Sequence, residues 1–82
     1  MIDESALVAK LEAVVASELG MDAVKLERDK TAADVGRWDS MAHVRIMIGL
    51  EDALEITIDI EETYKLADFG ALIDYVAAKL RA

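Results

Sequence analysis

The sequence predicts an all-α fold: a small four-helix bundle, three long helices and one short, with a long first loop. Three observations carry this expectation. Apolar residues recur at helical spacing in separate segments near 4–19, 40–54 and 69–80. The one segment that alternates like a strand has no second strand to pair with. No Pro interrupts the helical segments, and 82 residues leave room for one small domain, taken as 1–82.

The first helix has N-cap candidates and first-turn acids in Asp3-Glu4-Ser5. Leu7, Val8, Leu11, Val14, Val15 and Leu19 form its apolar stripe, with Lys10, Glu12 and Glu18 between them. Gly20 follows the last apolar position, where a left-handed residue commonly ends a helix. A helix of this length does not hold alone, so its stripe must pack on something.

From Met21 to Trp38 the periodicity breaks. A connection this long is unusual in a compact domain unless it is packed or functional. Val24 and Leu26 are expected to tuck into the core, and 29–33 to make a short helical turn. Trp38 reads as a packed anchor or an exposed contact, and the packed reading is favoured because a large aromatic usually buries most of its area.

The second helix, about 40–54, is the most apolar. Asp39 or Ser40 can cap it, and the other then faces solvent at its positive end. Free N–H groups and the helix dipole favour negative charge there, a phosphate included. Met41, Val44, Ile48 and Leu54 fall near one stripe, Met47 and Leu50 widen it, and Ile46 falls outside it. The helix is therefore either central to the bundle or apolar on a second face that partners use. Gly49 costs up to about 1 kcal/mol relative to Ala. Close approach of another backbone is the expected reason for it.

Leu54-Glu55-Ile56-Thr57-Ile58-Asp59-Ile60 alternates strictly. Lacking a partner strand, it is expected to be an extended link that buries alternate isoleucines. Residues 60–66 then make at most a short helix. Asp68 can cap the last one, where Phe69, Leu72, Ile73, Val76 and Leu80 keep helical spacing. Lys79 and Arg81 fall at its dipole-favoured end.

Composition narrows function. There is no Cys, hence no disulfide and no thiolate metal site, and any thiol chemistry must come from a cofactor. His43 is the only His, too little with scattered acids for a zinc centre, so no metal site is expected. The formal net charge of −8 argues against nucleic acid. No apolar run reaches the length of a membrane span, and the start lacks a signal-peptide pattern, so a cytoplasmic location is expected. Between Glu51 and Glu62 lie six acids and no base, either a solvated face or a docking surface for basic proteins. Ser40 and His43 are close enough on one helix to approach each other. A Ser-His hydrolase also needs an oxyanion hole and a cleft, so that reading ranks third. There is no P-loop, dinucleotide fingerprint or calcium loop.

Asp39-Ser40-Met41, the apolar helix it opens and Leu50-Glu51-Asp52-Ala53-Leu54-Glu55-Ile56 together resemble the acyl carrier proteins. The order of helix, Ile-x-Ile link, two acids, short helix and final helix extends the resemblance over essentially the whole chain. It implies a four-helix carrier that is not an enzyme, with 4′-phosphopantetheine esterified to Ser40. Asp39 and Met41 would flank that site, and the carried acyl group would be a thioester on the cofactor. It implies a monomer whose partners are a phosphopantetheinyl transferase and acyl-loading and acyl-transfer enzymes with basic docking surfaces. Those would meet the second helix and its exit, at Arg45, Glu51, Asp52, Glu55 and Ile58.

Arg45 stands where that family commonly has an acid, Met41 where Leu is usual, and Asp59 where a Pro often begins the link. These departures point to a specialised carrier for an acyl, polyketide or aminoacyl pathway. Peptidyl carriers, generally with Gly-Gly-x-Ser and less acidity, rank lower. The alternative from another class is an unmodified acidic helical module that binds basic proteins.

Overall fold

A computed structural model of the chain describes residues 3–81. Among them the elements are α1 (Glu4–Leu19), a 3₁₀ turn (Ala32–Asp34), α2 (Ser40–Leu54), α3 (Ile60–Thr63) and α4 (Phe69–Arg81), with no strand. The architecture is thus the expected one of three long helices, one short helix and a long first loop.

α1 ends where Gly20 turns left-handed at φ 66°, with its N–H bonded to carbonyls of the last turn. Its Leu7, Leu11, Val15 and Leu19 are buried and pack against α2 and α4. α4 contributes Phe69, Leu72, Ile73 and Val76, and the Asp68 carboxylate caps it by accepting from Ala71 N at 2.9 Å.

The long connection is packed. Val24 and Leu26 lie in the core, and Leu26 N donates to the Glu12 carboxylate at 2.9 Å. Phe69 N and Gly70 N donate to the carbonyls of Lys30 and Arg28, strapping the connection to the start of α4. The Arg28 guanidinium adds an ion pair with Asp74 at 2.8 Å. Arg37 closes the C-terminus of α1 by donating to the Leu19 and Gly20 carbonyls at 3.1 and 3.0 Å. The helical turn falls at Ala32–Asp34, somewhat later than 29–33, because Thr31 and Asp34 form a capping box there.

Three expectations need correction. The buried face of α2 is Ala42, Ile46, Met47 and Leu50, whereas Met41, Val44 and Ile48 are exposed. Both sets have helical spacing, and packing against α1 selects between them. Gly49 meets side chains of α1 and not a second backbone: a Cβ there would lie 3.0 Å from Val14 Cγ1 and 3.4 Å from the Glu18 carboxylate. Ile58, assigned above to partner docking, is 6% exposed. Its N–H donates to the Glu51 carboxylate at 2.7 Å, which draws the link onto α2 and turns the side chain inward.

Candidate functional site at the start of α2

Asp39 sets the geometry of the helix start. Its backbone is extended, and its carboxylate accepts from Ala42 N at 2.8 Å. One of the free first-turn donors is thereby satisfied without help from Ser40. Ser40 is the first helical residue, it is exposed, and among the described residues its hydroxyl makes no hydrogen bond. No acid sits in the first turn of α2 itself. A hydroxyl so placed can carry an anionic group, because the helix start supplies positive potential.

A cavity of about 560 Å³ opens beside Ser40, walled by the connection, α2, α3 and the start of α4. Trp38 stacks on Phe69 with ring centroids 5.3 Å apart, and His43 stacks on Tyr64 at 4.5 Å. The packed reading of Trp38 therefore holds. His43 bonds to Trp38 Nε1 at 3.1 Å and to Thr63 Oγ1 at 2.7 Å, not to Ser40. No Ser-His couple forms, and partial burial pushes the His43 pKa below its ordinary value.

α2 presents a second, outward stripe. Met41, Val44, Arg45, Ile48, Asp52 and Glu55 are all exposed along it. Met41 at 73% and Ile48 at 48% are among the few large apolar side chains in the open, with Val44 and Tyr64. Among the described residues Arg45 makes no ion pair. Asp52 lies about 10 Å further along the axis, at ~1.5 Å per residue. Glu51 does not belong to this stripe, since its carboxylate is bound to the Ile58 N–H. Glu55 takes the left-handed conformation that ends α2, at φ 54°.

The sequence reading missed Thr63, Tyr64 and Phe69 as parts of the site. They reach it from α3 and α4, and only a contact of α3 with α2 could reveal them. Thr63 is the buried polar side chain among the described residues, which is the one retrospective signal. No group of three or more His, Asp or Glu suited to a metal ion occurs among the described residues.

Residues 9–76 match the family described as a phosphopantetheine attachment site. The acyl carrier protein of an Exiguobacterium species is 36% identical over 80 residues, covering 98% of this chain and all of that one. The acyl carrier protein of Clostridium acetobutylicum is 28% identical, covering 84% of this chain and 90% of that one. Among solved structures, the holo acyl carrier protein of Geobacter metallireducens superposes with a TM-score of 0.81 at 29% identity, over 92% of this chain and 86% of that one. A matched attachment region, a relative of this identity and a shared fold establish that the chain belongs to the acyl carrier protein family, whose members are carriers with covalent 4′-phosphopantetheine and not enzymes.

Proposed function

We propose that this chain is a single carrier domain, 1–82, that bears 4′-phosphopantetheine on Ser40 and serves a specialised acyl, polyketide or other acyl pathway as a cytoplasmic monomer. The observation that carries the reading is the division of labour at the helix start. Asp39 does the capping, which leaves the Ser40 hydroxyl exposed and, among the described residues, without a partner at the positive end of α2.

The residues present fit the group. Ser40 Oγ is the atom that would form the phosphodiester, the first-turn N–H groups of α2 favour its charge, and the adjoining cavity offers apolar walls in Leu66, Phe69 and Leu72. The bound group supplies a terminal thiol on which an acyl chain is held as a thioester. The protein's own part is to tether and present. Tethering raises the effective concentration of the load at a partner's active site. The cavity can shelter an apolar chain from water.

The family works with a phosphopantetheinyl transferase and with enzymes that load and transfer acyl groups. The proposed docking face is the outward stripe of α2, near Met41 and Arg45, and the acids beyond it. Asp52, Glu55, Asp59, Glu61 and Glu62 are exposed and suit basic partner surfaces. Arg45 interrupts that acidity next to Ser40, which is the reason to favour a specialised pathway. The absence of Cys agrees with a reducing compartment.

Intact mass after incubation with coenzyme A and a phosphopantetheinyl transferase of broad specificity tests the reading. One phosphopantetheine per chain is expected, lost in Ser40→Ala. A chain that stays unmodified under conditions that load a control carrier would favour the acidic interaction module instead.

A further inference from the structure

The cavity beside Ser40 is crossed by a run of hydrogen bonds that the carrier role does not use. Trp38 Nε1 lies 3.1 Å from His43 Nδ1. An indole N–H only donates, so Nδ1 accepts and the neutral ring carries its proton on Nε2. Nε2–H then donates to Thr63 Oγ1 at 2.7 Å, and the Thr63 hydroxyl donates to the Ile60 carbonyl at 2.6 Å. Each group acts in the sense its chemistry allows. The run joins the connection, α2 and α3, and Trp38, His43 and Thr63 all line the cavity.

From this geometry we infer that His43 is a latch: its neutral form holds Trp38 and α3 together across the cavity, and a second ring proton releases Trp38 and opens it. Protonation places an N–H on both ring nitrogens, so the Nδ1–H would face the Trp38 N–H with no acceptor between them. One donor must withdraw. His43 is held by its helix and by Thr63, whereas Trp38 lies on irregular backbone.

The titratable groups facing the same cavity are Asp39 at the cap of α2, Tyr64 just after α3 and Asp68 before α4. The two carboxylates accept from Ala42 N and Ala71 N, and neither bonds to His43. Among the described residues no carboxylate is thus engaged with the ring to stabilise its charge. Partial burial disfavours the charged ring as well. The latch concerns access to the cavity and holds whether or not Ser40 is modified.

His43 is the only His and Trp38 the only Trp of the chain, so each has its own signal. The experiment takes the unmodified full chain from neutral to acid pH. It follows the His43 ring protons and the Trp38 indole N–H by NMR, together with binding of the apolar dye anilinonaphthalenesulfonate. The expected result is one shared midpoint. Dye affinity should rise roughly two- to twelvefold across it, the range set by loss of one hydrogen bond. His43→Gln, which keeps an acceptor and a donor but does not titrate, should lose the acid response while its circular dichroism stays helical. Thr63→Val, which frees Nε2–H but leaves the ring titratable, should bind the dye more tightly already at neutral pH. A Trp38 signal that ignores the His43 titration, an acid response retained in His43→Gln, or unchanged dye affinity in Thr63→Val would each overturn the latch.

Discussion

Two adjacent residues at the start of α2 should respond in opposite ways to the same substitution. Asp39→Ala removes the 2.8 Å bond to Ala42 N and leaves a first-turn donor without its cap. Loss of an N-cap of this kind costs about 1 kcal/mol, within a range of roughly 0.5–2. In a domain of this size each kcal/mol moves the melting temperature by about 4–8 °C. Ser40→Ala removes an exposed hydroxyl that has no partner among the described residues and installs a better helix former. Its effect should stay within about 0.5 kcal/mol, as for other surface changes. Thermal melts of both variants, with Asp39→Asn as a variant that keeps the cap, therefore separate the roles, while intact mass reads the loading. Ser40→Ala should melt close to wild type yet accept no phosphopantetheine. Equal destabilisation by the two alanines would make Ser40 a structural residue. Continued modification of Ser40→Ala would move the site to Ser5 or Ser17, both exposed on α1.

Further outcomes can be checked alongside. Ile58→Ala should cost roughly 2–5 kcal/mol in chemical denaturation, because it empties a core position, and a change under about 0.5 kcal/mol would contradict its burial. With 17 acids against 9 bases, moderate salt should raise the melting temperature, and a flat response would remove self-repulsion as a factor. Because His43 binds its proton more weakly in the folded state, it contributes stability that is present above its unfolded value of 6.5 and lost as pH falls from there toward the folded value. That acid-side loss should be smaller in His43→Gln when the two unfolding curves are compared. Arg45→Glu should raise kcat/KM with basic enzymes of ordinary fatty-acid synthesis and lower it with the cognate enzyme, more strongly at low salt, and identical values would take Arg45 off the docking face.

What was legible in the sequence was whatever depends on local chemistry. Gly20 and Asp39 mark helix ends through their own backbone and side-chain preferences, so α1 and α2 have the boundaries their spacing predicts. Asp68 caps α4 for the same reason. The orientation of α2 was not legible, because Met41, Val44 and Ile48 repeat as regularly as Ala42, Ile46 and Leu50. Only the position of α1 decides which set is covered, and the small Ala42 hid the true stripe. The left-handed end of α2 at Glu55 was equally silent, since no Gly marks it. The strapping by Arg28 and Arg37 joins residues far apart in the chain, and nothing in their neighbourhoods announces the partner. The exposed place of Ser40 at the helix start was legible, because Asp39 next to it can do the capping. The cavity beside it was not, because Thr63 and Phe69 enter it from elements remote in sequence.

The two faces of α2 contribute unequally to the stability of the fold. Ile46, Met47 and Leu50 are fully buried, and each such side chain contributes roughly 1.5–3 kcal/mol of transfer free energy. Met41 and Ile48 keep much of their area in water and draw correspondingly little from the same source. The fold therefore does not depend on them, and a polar residue at either position would leave the core intact. Water contact is a cost that a partner surface can relieve, and only while the partner is bound. Set beside Ser40, with Arg45 between them and Asp52 and Glu55 beyond, these side chains make an apolar end and an acidic end on one stripe. On the proposed docking face, the apolar end would supply contact area at the attachment point, and the charges along the stripe would set which partner arrives and in which direction.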